Sequence, residues 1–117
     1  MFTVRNVILA AIAGILGCIA NSFAISAMAG ADPIPLILSP GREFWSIVFA
    51  MALIPIFARA SGVTAWIVGF VVLDALASLS AVYIWGAAAP WNFILLVNGI
   101  YALVTVAVYA LGRFKYL

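Results

Sequence analysis

VTAWIVGFVVLDALASLSAVYIW, residues 63–85, carries a single charged side chain, Asp74, near its midpoint. As a helix it rises about 1.5 Å per residue, so its length matches the roughly 30 Å hydrocarbon layer of a bilayer. As anything else it would expose an unbroken apolar surface to water. Three further apolar runs stand beside it, and they predict helices over about 6–29, 40–58 and 91–111. The expected fold class is therefore all-α: a four-helix transmembrane bundle with helices at 6–29, 40–58, 63–85 and 91–111.

Composition supports the same reading. Of the 117 residues, 69% are hydrophobic and only 7% are charged, against roughly 25% charged in an ordinary soluble domain. Such a chain has too little polar surface to face water all round, so its solvent is the lipid bilayer. Four crossings of about 20 residues each take up most of the length. Residues 1–117 are read as one integral membrane domain.

The punctuation between the runs is clear. Helix 1 ends at Gly30. Pro33 and Pro35 in the following loop argue against regular helix there. Ser39 suits an N-cap and Pro40 the first helical position of helix 2, with Glu43 at the favourable end of the helix dipole. Pro55 predicts a local weakness towards its far end. Ser61-Gly62 and the uncharged Gly86-Ala87-Ala88-Ala89-Pro90 make the other two connections. Trp45, Trp85, Trp91, Phe114 and Tyr116 suit aromatic belts at the two interfaces.

Charge sets the expected orientation. With four crossings, the two termini and the 59–62 connection share one side, which holds Arg5, Arg59, Arg113 and Lys115. The opposite side holds Asp32, Arg42 and Glu43. Basic residues mark the cytoplasmic side, so both termini are expected inside, in a bacterial inner (plasma) membrane. The N-terminus imitates a secretory signal, with Arg5, an apolar run from Val7 and Ala27-Met28-Ala29 as a cleavage-like site. The run extends to about Ala29, longer than a signal core, and a retained helix is expected.

Several function classes are excluded. Five basic residues against three acidic ones make no stripe for nucleic acid. The chain has no histidine, so imidazole-ligated metals and haem have no ligand in it. Cys18 is the single cysteine and reads as a small packing residue. No Ser-His pair, paired carboxylates or phosphate-cradling loop is present. Neither an enzyme nor a cofactor is expected.

The candidate chemistry lies inside the membrane. Asp74 is a carboxyl at bilayer depth, which costs several kcal/mol unless it is protonated or partnered. It reads as a proton- or cation-binding group, and otherwise as a protonated acid bonded to a neighbouring helix. Asn98, Tyr101, Thr105 and Tyr109 fall at helical spacing on one face of helix 4. They read either as lining for a polar path or as interhelical hydrogen bonding. Counted along the helices, Asn21 and Asn98 lie slightly to the non-terminal side of mid-bilayer, with Asp74 and Tyr101 near it. One cluster of Asn21, Asp74, Asn98 and Tyr101 is therefore expected, with Ser78 joining one turn from Asp74. Arg59 is expected to snorkel to the interface, the alternative being a counter-ion for Asp74. Arg42 and Glu43 are expected to be ordinary interfacial charges.

Helix 1 has a smooth side of small residues, including Ala10, Gly14 and Gly17, suited to close helix contact. One subunit is not expected to hide both that side and the polar face of helix 4. The expected partners are therefore lipid and either further copies of the chain or a larger membrane complex. In size and helix count the chain resembles the small multidrug resistance transporters, four-helix proteins that work as dimers with a glutamate in helix 1. Helix 1 here has no acid, and the likeness is architectural, so no residue role is carried over. The leading expectation is a small transporter or channel-like protein with Asp74 at its centre, lined by Asn21, Asn98, Tyr101, Thr105 and Ser78. The alternative is an accessory subunit packed within a larger membrane complex.

Overall fold

The computed structural model describes residues 2–116, with side chains up to residue 112. The side chains of Arg113, Phe114, Lys115 and Tyr116, used above for charge and aromatic belts, lie outside that range. Six helices follow in order: α1 Val4–Ala29, α2 Pro33–Leu38, α3 Pro40–Ala50, α4 Leu53–Arg59, α5 Gly62–Tyr83 and α6 Trp91–Tyr116. The fold is all-helical. Taken as one span across a short break, α3 and α4 join α1, α5 and α6 as four helices long and apolar enough to cross a membrane.

Each boundary has a local cause. Thr3 caps α1 by accepting from the Asn6 amide at 3.2 Å, which starts the helix two residues before the expected position. Gly30, at φ 73°, closes it by donating to the Ser26 carbonyl, since a left-handed end costs glycine least. α5 ends differently: Ile84 caps it in the right-handed region by donating to the Ser80 carbonyl, and Gly86, at φ 65°, turns the chain just beyond, with the Ala87 amide returning to the Ala81 carbonyl.

Three expectations are corrected. Residues 33–38 form the short helix α2 despite two prolines. Both prolines sit in its first turn, where no amide donor is needed, and Asp32 caps it by accepting from Ile34. Span 2 is broken at Met51-Ala52, not merely kinked near Pro55. Pro55 has no N–H for the Met51 carbonyl, four residues back, and that carbonyl accepts instead from Ile54 at 3.2 Å. The last helix also continues through Gly112. There a Cβ would come within 2.5 Å of the Leu9 side chain, so Gly112 allows close packing against α1 and does not act as a cap.

In the packing, α1 lies mainly against α6 and α3, and α5 against α6. Span 2 meets α5 only sparingly, leaving a gap between them towards the end of the bundle that carries residues 30–39 and 84–90, called here the loop end. The smooth side of α1 is used internally. A Cβ on Gly14 would stand 2.6 Å from the Ser46 carbonyl oxygen, so the backbones of α1 and α3 nearly touch. Gly17 lies directly against Thr105 and Tyr101 of α6. Tyr101, Thr105 and Tyr109 are themselves buried. The premise that one subunit cannot hide both faces is therefore overturned, because each face covers the other.

Candidate functional site

The polar groups of the bundle form a continuous hydrogen-bonded chain. Arg42 donates from Nη2 to Asn21 Oδ1 at 2.7 Å. Asn21 Nδ2 donates to Asn98 Oδ1 at 3.3 Å and to the Val97 carbonyl at 2.7 Å. Asn98 Nδ2 donates to Ser78 Oγ at 3.3 Å. Ser78 Oγ donates to Asp74 Oδ1 at 2.9 Å. The five residues come from α3, α1, α6 and α5, so all four spans contribute.

Every donor in this chain points the same way, from a guanidinium towards a carboxyl oxygen. Arginine has only donors and an ionised carboxylate has only acceptors, so the two ends fix the polarity of the two amides and the hydroxyl between them. Aligned dipoles of this kind reinforce one another in a low dielectric. They also bring the positive end of each bond towards Asp74. The carboxyl is thus compensated through intermediaries and not by a cation in contact with it.

Of the expected cluster, the chain unites Asn21, Asn98, Ser78 and Asp74. Tyr101 is close by but turns to span 2, where its hydroxyl donates to the Ser46 carbonyl at 2.7 Å. Thr105 is not in the chain. Its hydroxyl donates back to the Tyr101 carbonyl of its own helix at 2.7 Å, the usual recourse of threonine inside an apolar helix. Arg59 is exposed at the other end of the bundle and does not approach Asp74.

Arg42 corrects the expectation of an ordinary interfacial charge. It is half-buried and also donates to the Leu36 carbonyl through Nε at 3.2 Å and to Ser22 Oγ at 3.2 Å. Two signals in the sequence pointed to this. Arg42 sits in the first turn of a helix, where the dipole disfavours a cation, and on the side of the membrane that is poor in basic residues. A cation against both preferences has something else holding it.

Arg42, Asn21, Asn98 and Tyr101 border a cavity of about 380 Å³. It occupies the gap between α3 and α5, with Trp45 and Phe49 on one wall and Ala77, Ala81 and Trp85 on the other. The rings of Trp45 and Trp85 meet edge-to-face across the gap, 6.0 Å between centroids. The chain therefore begins at a cavity and ends at a half-buried carboxyl near the middle of α5. The row orients and polarises the groups around Asp74, but a guanidinium that stays protonated and amide N–H groups relay no proton themselves, so exchange with Asp74 needs water or the carboxyl itself.

Comparison with protein-family models, curated proteins and solved structures finds no match for this chain. Its function has to be read from its own residues.

Proposed function

We propose that the protein is a small membrane transporter or channel-like protein in which Asp74 accepts a proton or cation. The observation that carries this reading is the one-directional chain Arg42–Asn21–Asn98–Ser78–Asp74. Intramembrane acids are costly and mark proton and ion paths more often than ordinary packing. A chain that only fastened helices together would need no cation at one end and no acid at the other, because neutral amides do that at lower cost.

In this reading the termini are cytoplasmic and the loop end faces outward, across a bacterial inner (plasma) membrane. Arg5 and Arg59 supply the basic inner side. Self-association is not needed to bury the polar face of α6, and a single bundle is enough for the path described.

The test uses the purified full-length chain in liposomes that enclose a pH-sensitive dye, with a potassium diffusion potential imposed. Wild-type protein is expected to speed the relaxation of internal pH, and Asp74→Asn to abolish the increase. Relaxation by Asp74→Asn at the wild-type rate would remove Asp74 from the mechanism. Activity of the purified chain alone would also exclude the accessory-subunit reading.

A further inference from the structure

We propose that the cavity between α3 and α5 is a binding site for an oxyanion headgroup, phosphate being the type, carried on an apolar chain that leaves the site alongside the Trp45–Trp85 pair towards lipid. The inference goes beyond the transporter reading and does not rest on it: it names a ligand class bound at the loop end, apart from the proton or cation at Asp74.

The charge of the cavity comes first. Arg42 lines it, and no Asp or Glu is among the residues that do. The acid next in sequence, Glu43, is directed elsewhere, beside Cys18 of α1. The three side-chain hydrogen bonds of Arg42 all go to neutral acceptors and use Nε and Nη2. They hold the guanidinium plane in place while Nη1 takes no part in them. A planar donor with one nitrogen to spare, fixed from behind, suits a phosphate or carboxylate oxygen better than it suits a cation or a neutral molecule.

The size of the cavity argues against a bare proton or metal ion as its only occupant. At about 30 Å³ per water in the liquid, 380 Å³ holds on the order of a dozen waters. That volume lies within the range of small-molecule sites and accommodates a headgroup with the root of its chain.

The walls indicate an amphiphile. Away from Arg42 the lining turns apolar and aromatic, with Trp45, Phe49 and Trp85 beside Ala77 and Ala81. Trp45 and Trp85 are 39% and 53% exposed, which places them at the outer edge of the gap. They flank the gap between two spans that meet only sparingly. Tryptophan prefers this depth, where one side is wet and the other lipid. A free phosphate would use the guanidinium and leave those walls without a partner.

The experiment measures binding, not transport, on full-length protein in phosphatidylcholine nanodiscs. One arm adds phosphatidic acid and counts lipids retained on the protein by native mass spectrometry. The other adds inorganic phosphate alone and follows tryptophan fluorescence. Wild-type protein is expected to retain phosphatidic acid in preference to phosphatidylcholine. Arg42→Gln is expected to lower that retention at least about tenfold, the scale of one charge-assisted hydrogen bond. Arg59→Gln, at the far end, should leave it unchanged.

Because Arg42 also braces α1, Ala81→Phe serves as a second variant that fills the cavity and leaves the arginine in place. It too should abolish retention. A phosphate-dependent fluorescence change that is lost in Arg42→Gln upholds the oxyanion site and assigns the free anion as its occupant. Absence of binding in both arms, or binding indifferent to both Arg42→Gln and Ala81→Phe, overturns the inference. Retention is read without a proton gradient and transport without added phosphatidic acid, so a failed transport mechanism and a failed binding site give different results.

Discussion

Single atoms decide several features of this bundle. Gly14 is the clearest case, because the atoms facing it are backbone and cannot rotate away. With the Ser46 oxygen 2.6 Å from where a Cβ would stand, Gly14→Ala must push α1 and α3 apart, at about 1–3 kcal/mol by the usual cost of overpacking. Gly41 has open space at the same position, and Gly41→Ala should be nearly neutral. Thermal unfolding in one detergent compares the two, and equal stabilities would mean that α1 and α3 do not approach as described. The amides of the chain form a graded pair. Asn21 holds three neighbours, namely Arg42, Asn98 and the Val97 carbonyl. Asn98 engages two side chains, Asn21 and Ser78. Asn21→Leu takes one of three acceptors from a half-buried guanidinium and should destabilise more than Asn98→Leu, for which about 1–2 kcal/mol is the scale of an interhelical hydrogen bond in membranes. The order of the two, read by the same unfolding assay, is the measurement that matters.

At the scale of helices, what could be read from sequence was whatever depends on period, length and composition. The four spans, the Ser39-Pro40 start and the Gly30 end follow from local chemistry, and each stands within a few residues of expectation. The shared level of Asn21 and Asn98 was also legible, because rise per residue fixes depth. Rotation about the helix axis was not, and that is why Tyr101 and Thr105 were grouped with Asp74 although one bonds to span 2 and the other to its own helix. The position of Arg42 is anomalous in the sequence, but its partners lie 20 and 21 residues away on another span, so no local pattern names them. The break in span 2 is a further element-scale feature, and it invites a direct test. Pro55→Ala restores an amide facing the Met51 carbonyl, so α3 and α4 should join into one helix. Hydrogen exchange over residues 51–56 is expected to slow, and exchange at the wild-type rate would show that packing of the buried Leu53 and Ile54, not the missing donor, sets the break.

For the molecule as a whole, the same chain that suggests a path also ties the spans together. Its members come one span at a time: Arg42 from α3, Asn21 from α1, Asn98 from α6, and Ser78 with Asp74 from α5. Arg42 and Asp74 do not touch, yet they stand at the two ends of one row of hydrogen bonds at a depth where an unpartnered polar group is expensive. That relation predicts energetic coupling without contact. Arg42→Gln alone leaves an acid whose row of donors has lost its source, and Asp74→Asn alone leaves a cation whose row has lost its sink. The double variant removes both, and its amides can still complete the row. In a double-mutant cycle the combined loss of stability should fall short of the sum of the single losses by about 1 kcal/mol or more, within the range found for members of one network. The same pair measured against Arg59→Gln, whose side chain is exposed at the opposite end, should be additive within about 0.5 kcal/mol. Additivity between Arg42 and Asp74 would mean that the row of hydrogen bonds transmits nothing. The cavity and the carboxyl would then be two separate features of one bundle, and the transporter mechanism would lose the link on which it is built.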